Sequence, residues 1–287
     1  DFPHAMVLLP DRQPRPPLIV FAHNVEAEIF ERHAAVAAPG WRFIWRDQAR
    51  KMRAFEGAAL RQARSVIAVS ERDAIALRRD YALDRVTHVN TGVDLDYHRF
   101  MPPATPAAGG GTVVFCGAMD WQANVDGIAF LMDAVWPLLL RDRPQIRAVI
   151  VGRNPPKSLA EKAAKRGVAF QFTGYVDDIR DYVAAADVYV IPLRVGSGTR
   201  IKAYEAMATG RPVVSTSVGI EGLAVQPEQH YLVADDAETF AASILRLLDD
   251  AALRTRLCTA AHQLLEEHFS WQQVARQFEA ECLSAVG

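Results

Sequence analysis

The stretch Pro192-Leu193-Arg194-Val195-Gly196-Ser197-Gly198-Thr199-Arg200-Ile201-Lys202-Ala203-Tyr204-Glu205-Ala206-Met207 gathers residue types that bind a charged, hydroxyl-bearing ligand. An apolar strand ends, a Gly-Ser-Gly turn follows, and a helix begins. Free N–H groups at a helix start attract phosphate. At about 100° per residue, Gly198, Lys202 and Glu205 fall within about 60° of one another on one face. Ile201, Tyr204 and Ala208 lie to one side of that stripe and can pack inward. Glu205 stands about 10 Å along the axis from Gly198, at about 1.5 Å per residue. That span suits a diphosphate at the helix start and a ribose diol further along. The bland alternative is an exposed i,i+3 ion pair between Lys202 and Glu205, worth only tenths of a kcal/mol. The apolar flanks instead predict a largely buried helix, where an unpaired Glu is costly, and they favour a ligand contact. Arg200 reaches the phosphates only if the turn extends through it. The stretch is no dinucleotide fingerprint, because Ile201 stands three residues after Gly198 where a glycine is required. It is no P-loop either, since the chain has no Gly-Lys-Ser/Thr.

The elements that must position this stretch follow a regular grammar. Short apolar runs at Thr112–Cys116, Ala148–Val151, Ala169–Thr173, Val188–Leu193 and Val213–Ser215 alternate with segments of helical period. Ile128, Leu131, Val135, Leu138 and Leu139 show that period, as do Phe240, Ile244, Leu247 and Leu248. Continuous apolar strands between helices predict a parallel sheet covered on both faces, and right-handed crossovers make an open doubly wound fold the default. Ligands bind such sheets beyond the carboxyl ends of the strands. The runs here end in Gly117-Ala118-Met119-Asp120, Gly152-Arg153-Asn154, Gly174-Tyr175, Gly196-Ser197-Gly198 and Ser217-Val218-Gly219, which would let a ligand approach the backbone. The opening hundred residues repeat the grammar with about three strands: Leu18–Ala22, Ser65–Val69 and Val86–Asn90. A long helix is expected over Trp41–Arg64, and Ser70 is placed to cap the next one. Residues 95–111, with Pro102, Pro103 and Pro106 and then Gly109–Gly111, read as an interdomain linker. The expected division is a first Rossmann-like domain over 1–94, a second over 112–269, and a final helix over 270–287. That helix carries Trp271, Val274, Phe278 and Cys282 on one face and needs an apolar partner.

Composition narrows the function. A length of 287 residues suggests two domains at about 150 residues each. The charged fraction of 23% and apolar fraction of 50% exclude wholesale disorder. Thirty-two basic against 34 acidic residues argue against a nucleic-acid partner. Three scattered cysteines make neither a disulfide framework nor a zinc site and suggest a reducing compartment. The longest apolar run, between Gly127 and Leu140, contains Asp133 and falls short of the about 18 residues that a membrane span needs. The chain opens on Asp1 rather than Met, which suggests a fragment or a processed chain.

Gly196–Glu205, continued by Ala206-Met207-Ala208-Thr209-Gly210-Arg211-Pro212-Val213-Val214-Ser215-Thr216, resembles the donor-site signature of retaining GT-B glycosyltransferases of family 4 (group 1). Gly117-Ala118-Met119-Asp120-Trp121 with Asn124-Val125-Asp126, and Phe172-Thr173-Gly174-Tyr175-Val176, follow the same pattern. The resemblance covers residues 112–250 almost throughout. It implies that Glu205 binds the ribose hydroxyls and that the Gly196, Ser197, Gly198 and Thr199 backbone holds diphosphate and sugar. Lys202, Arg194 and Arg200 would neutralise charge, Gly117 would border the donor, and Tyr175 would meet the base. Two departures stand out. Ser197 occupies the place of an earlier acid eight residues before Glu205, and Gly117–Gly127 holds no basic residue where many members carry Arg and Lys. Leu18–Glu26 resembles the strand ending in a histidine that faces the donor sugar, here His23, which would orient the sugar and the transition state. Val66–Ser70 and Val89–Asp94 resemble the strands before the hinge, and the family's opening strand and acceptor loop find no counterpart. The fold implied is two Rossmann-like α/β domains with parallel sheets, the first partial.

The function implied is transfer of a hexose, with retention, from a nucleotide-diphosphate sugar to a glycan or lipid-linked acceptor, in polysaccharide biosynthesis. The expected location is cytoplasmic, with no metal or other cofactor. A sugar-nucleotide-binding protein without turnover and a NAD-type redox or epimerase protein are the alternatives. Asp94-Leu95-Asp96 has the Asp-x-Asp form of metal-dependent transferases of another fold, but its place in the hinge reads as a surface turn. Arg42, Arg46, Arg50 and Arg53 form a helical basic stripe beside Trp41 and Trp45, suited to a solvated face with buried tryptophans, to peripheral contact with an anionic membrane, or to a phosphate-bearing acceptor.

Overall fold

The computed structural model describes residues 3–8, 17–195 and 200–286. It divides into two compact lobes. The first takes the chain up to Thr91 and receives it again from Gln272; the second holds the described residues between Gly92 and Trp271.

In the first lobe, β1 (Ile19–Ala22), β2 (Ser65–Ala68) and β3 (Val86–His88) form a parallel sheet in the order β1-β2-β3. β2 is buried at every position, which explains its continuous apolar reading in sequence. Helices α1 (Glu26–Val36) and α2 (Pro39–Leu60) join β1 to β2, and α3 (Glu71–Tyr81) joins β2 to β3. α2 starts two residues before the expected Trp41, because Pro39 has the fixed φ that suits a first turn. Ser70 caps α3 as expected, its hydroxyl accepting from Asp73 N at 3.1 Å.

α1 has no side-chain cap of its own. Its first amides are met from α2 instead: the fully buried Glu56 accepts from Glu26 N at 2.8 Å and Ala27 N at 3.1 Å, and also from the Tyr81 hydroxyl. Burial pushes the Glu56 carboxyl above its ordinary range. Glu56 thereby fixes the turn that carries the chain from β1 through His23 into α1. The last helix, α11 (Trp271–Val286), packs in this lobe through Phe278, whose ring meets Phe21 edge-on at 5.4 Å, and Ala285 O, which accepts from Arg64 Nε at 3.2 Å.

The second lobe is built on a six-stranded parallel sheet in the order β6-β5-β4-β7-β8-β9. Its strands are β4 (Gly110–Cys116), β5 (Gln145–Val151), β6 (Phe170–Gly174), β7 (Val188–Ile191), β8 (Val213–Ser215) and β9 (Leu232–Val233). The chain works outward from β4 to β6, returns to lay β7 on the other side of β4, and works outward again. Such a reversal leaves a crevice between β4 and β7 at the carboxyl edge. β7 stops at Ile191, short of the expected Leu193, since Pro192 has no N–H for the ladder. The short edge strand β9 is only two residues long, within the apolar run Tyr231–Ala234, and is not among the expected strands.

Gln122–Asp142 is one continuous helical stretch, α4 (Gln122–Phe130) running through a π turn at Leu131–Val135 into α5 (Trp136–Asp142). Pro137 has no N–H to donate back into the preceding turn, which accounts for the widening there. By length and composition this stretch could cross a membrane, but Ile128, Leu131, Met132, Val135, Trp136 and Leu139 are fully buried in the lobe's core. The proline- and glycine-rich segment expected as a linker lies in this lobe. The buried Arg211 holds its start, donating to Met101 O at 2.6 Å and Pro102 O at 3.2 Å.

Replacing Glu56 with Ala leaves two amides and a hydroxyl without their acceptor. Urea denaturation should show a loss on the order of 3 kcal/mol; an unchanged midpoint would contradict the capping role.

Candidate functional site

The crevice holds a cavity of about 390 Å³ at the carboxyl edge of the sheet. Cys116 ends β4 and the loop after it contributes Gly117 and Ala118, the loop after β5 Gly152 and Arg153, the loop after β6 Tyr175 and Val176, and α8 (Ile201–Ala208) Lys202 and Glu205. Two of the glycine loops owe their composition to packing. A Cβ on Gly152 would lie 1.9 Å from Gly117 O. A Cβ on Gly117 would lie 2.9 Å from both Lys202 Nζ and Asn124 Nδ2. The loops interlock through Gly117 N to Val151 O at 2.9 Å and Met119 N to Arg153 O at 2.9 Å.

α8 has the inward face expected of it: Ala203, Tyr204, Ala206, Met207 and Ala208 are buried. Lys202 and Glu205 are partly buried and do not form the ion pair that their spacing allows. Lys202 Nζ lies 3.4 Å from Asn124 Oδ1 and 4.6 Å from the centroid of the Phe115 ring. Burial, and then the charge of Arg200, bring its pKa down to about 8, against the opposing pull of Cys116 and Glu205. Burial also pushes the Glu205 carboxyl up, partly offset by Lys202. Each charge is thus held in a site that disfavours it, facing a cavity with room for a counterpart. The arrangement fits a ligand with an anionic group for the ammonium and hydroxyl donors for the carboxylate.

Tyr175 follows Gly174, which has φ of +72°, and its ring is 74% exposed at the cavity wall, free to stack on a flat ring. Arg200 is the non-helical residue before α8; it is buried, with Nε donating to Val218 O at 3.4 Å. Arg194 is turned to Asp126, its Nε 3.0 Å from Oδ2, and lies over the Phe130 ring. Neither arginine lines this cavity. Gly196, Ser197, Gly198 and Thr199 lie outside the described residues. α8 itself begins only at Ile201, so the 10 Å span from Gly198 has no counterpart in described helix.

Two contributors were not singled out in the sequence. Arg153 supplies a cation from the loop after β5 and pairs with Asp120 at 3.2 Å, beside the loop after β4 that has no basic residue of its own. The buried Asn124 donates to Ala118 O at 2.7 Å and turns its oxygen to Lys202. The basic residue directly after Gly152 was the available signal for the first; Asn124 stood in the Asn124-Val125-Asp126 run that follows the family pattern, with no role assigned to it. Asp94-Leu95-Asp96 forms the expected turn, Asp94 Oδ1 accepting from Asp96 N at 3.0 Å and Tyr97 N at 2.9 Å. Among the described residues, no group of three or more His, Cys, Asp or Glu side chains is placed to hold a metal ion.

His23 stands in the other lobe, at the carboxyl end of β1. Its ring meets Phe21 edge-on at 4.6 Å, and burial lowers its pKa, which favours the neutral imidazole.

Residues 110–250 match the domain family described as "Glycosyl transferases group 1", and residues 2–97 match "Glycosyltransferase Family 4". A phosphatidyl-myo-inositol mannosyltransferase of Mycolicibacterium smegmatis is 32% identical over 172 residues, 58% of this chain and 44% of that protein. A glycogen synthase of Mycobacterium tuberculosis is 29% identical over 269 residues, 90% of this chain and 61% of that protein. The chain therefore spans from under half to about three-fifths of the length of these relatives. Among solved structures, Anabaena Alr3699/HepE in complex with UDP-glucose superposes with a TM-score of 0.69 at 18% identity, covering 94% of this chain and 72% of that one. The fold is the α/β GT-B fold with parallel sheets. Both matched domain families are described as glycosyltransferases.

Gly152→Ala should force the ends of β4 and β5 apart. The expected cost is about 1–3 kcal/mol, with a corresponding drop in Tm. A variant of unchanged Tm would show that the two loops are not held together by this contact.

Proposed function

We propose that this chain, with its GT-B fold and its two stretches of glycosyltransferase sequence, transfers a sugar with retention from a nucleotide-diphosphate sugar to a glycan or lipid-linked acceptor. The observation that carries the proposal is that Lys202 and Glu205, not ion-paired with each other, both face one cavity at the sheet's reversal point. Glu205 accepts from the ribose hydroxyls, and the Tyr175 ring stacks on the base. The Lys202 ammonium lies against the diphosphate and meets the negative charge that grows on it as the sugar departs. A group aimed at charge developing in the transition state lowers the barrier more than one that binds the ground state. Arg153, released from Asp120, is within the same cavity wall and can share that load. His23, as a neutral imidazole, hydrogen-bonds the transferred sugar. Retention rests on the resemblance of the Gly196–Glu205 signature to retaining transferases. The presence of UDP-glucose in the Anabaena structure supports a nucleotide sugar as donor. The reaction needs no metal, since the diphosphate is met by Lys202 and the loop amides. It is placed in the cytoplasm, in keeping with free thiols at Cys116, Cys258 and Cys282.

Four measurements bear on this. Incubation with UDP- and GDP-sugars and a range of glycan and lipid acceptors should release nucleoside diphosphate in step with product. The anomeric proton of the product, read by NMR, should report retained configuration, and inversion would contradict the mechanism. Turnover should survive a chelator; activity only with added manganese would exclude the metal-free reaction. The fourth is pH dependence. The folded pKa of Lys202 lies below its unfolded value, so its charge is present at pH 7 and is lost as pH rises through about 8. Diphosphate affinity should therefore fall about tenfold between pH 7 and 9, and Lys202→Arg, which stays charged, should flatten the profile. An unchanged wild-type profile would exclude Lys202 from the diphosphate.

A further inference from the structure

We propose, on the reading of the second lobe's cavity as a seat for a diphosphate, that Lys202 is a site of covalent acylation: its amine takes the acyl group of a small acyl phosphate that enters the cavity, and the amide so formed shuts out the nucleotide ligand. The chain has 27 arginines and only five lysines: Lys51, Lys157, Lys162, Lys165 and Lys202. Lys51 and Lys162 pair at the surface with Asp47 and Asp133, and Lys157 and Lys165 are exposed. Lys202 alone among the five lines the cavity at the carboxyl edge of the sheet. Its closest contacts there are neutral. Asn124 Oδ1 lies 3.4 Å from Nζ, and the centroid of the Phe115 ring 4.6 Å. The place of the Cβ that Gly117 lacks is 2.9 Å from Nζ, so the backbone leaves that side of the amine uncovered.

An amine is a nucleophile only without its proton, and an unperturbed lysine holds its proton to a pKa of about 10.4. Burial, and then the charge of Arg200, bring Lys202 to about 8, with Cys116 and Glu205 pulling the other way. About a tenth of this amine is then free at pH 7 and about half at pH 8. Arg153 lines the same cavity with a guanidinium, a group that stays charged in proteins, so a phosphate can be held while the uncharged amine attacks. Nζ adds to the acyl carbon, the C–O bond to phosphate breaks, and a C–N amide bond replaces it. The amine's proton passes by way of the Glu205 carboxylate, on the same cavity wall, to the phosphate, which leaves as hydrogen phosphate. Burial pushes the Glu205 carboxyl up, which makes it a better proton acceptor than an exposed one. Cys116, the other nucleophile in the wall, is pushed up to about 12 by burial and stays a thiol. An acyl phosphate carries the anion that this lining attracts; an uncharged acyl donor does not.

The test incubates the whole chain with acetyl phosphate at pH 7, 8 and 9 and reads acetyl-lysine at all five positions by peptide mass spectrometry. At pH 7 Lys202 should be acetylated at least about tenfold faster than Lys157 or Lys165. With an amine of pKa about 8, its rate should rise about fivefold from pH 7 to 8 and less than about twofold from pH 8 to 9, where a solvated lysine gains about tenfold at each step. Excess inorganic pyrophosphate should slow the reaction at Lys202 alone. The acetylated chain should bind UDP or GDP at least about tenfold more weakly, through the lost charge-assisted contact. Equal rates at Lys202, Lys157 and Lys165 would overturn the proposal, as would a tenfold rise per pH unit at Lys202 or labelling that pyrophosphate does not slow. A label on Cys116 that neutral hydroxylamine removes would overturn it in favour of the thiol. A chain that binds UDP or GDP but shows no preference for Lys202 overturns the acylation and leaves the donor reading standing. A preference for Lys202 in a chain that binds no nucleotide overturns the donor reading instead.

Discussion

The second lobe depends on a contact that admits no side chain. Gly117 O occupies the space where a Cβ on residue 152 would stand, 1.9 Å away, and Lys202 Nζ and Asn124 crowd the corresponding place over Gly117. Two backbone turns and an ammonium are thus packed into one volume at the reversal of the sheet. The contact closes the floor of the cavity and brings β4 and β5 to an end together, Cys116 opposite Val151. It also holds the start of α8 against them. The sheet order creates a crevice, and this packing gives the crevice its polar lining.

That lining is electrostatically unfinished. Lys202 and Glu205 lie on one helix face, three residues apart, yet the ammonium turns to the Asn124 oxygen and the Phe115 ring. Burial moves both groups toward their neutral forms. A ligand carrying an anion and a vicinal diol restores to each what water supplied, so the cost of burial becomes selectivity for such a ligand. In the other lobe Glu56 plays a structural counterpart. Its carboxylate is buried but fully engaged, by two amides and the Tyr81 hydroxyl, and it secures the helix that follows His23. One acid is fully buried and satisfied within the fold; the other is partly buried and lines the cavity.

Much of this was legible in the sequence because it is periodic or local. The parallel sheet follows from apolar runs alternating with helical stripes, the α3 cap from Ser70, and the Lys202–Glu205 face from helical spacing. What escaped depends on partners distant in the chain. Glu56 caps a helix thirty residues earlier, Arg153 crosses to Asp120 across 33 residues, and Asn124 meets Lys202 across 78. Arg194 was expected at a phosphate because its neighbours are a donor-site signature; the structure turns it to Asp126, 68 residues away. The segment with the composition of a linker is pinned by Arg211, more than a hundred residues on. No window along the chain contains these pairs, and the fold alone brings them together.

The most direct test of the account is nucleotide binding by the wild-type chain and by Glu205→Ala, read as thermal shifts with UDP, GDP, ADP and NAD. A ligand present at about 100 times its Kd adds about 2.7 kcal/mol and raises Tm by a few degrees. The account predicts a shift with UDP or GDP. It also predicts a 10- to 150-fold loss of affinity in the variant, corresponding to about 1.5–3 kcal/mol for the lost charge-assisted hydrogen bonds. A shift with NAD alone, or a folded Glu205→Ala that binds its nucleotide as tightly as wild type, would contradict it.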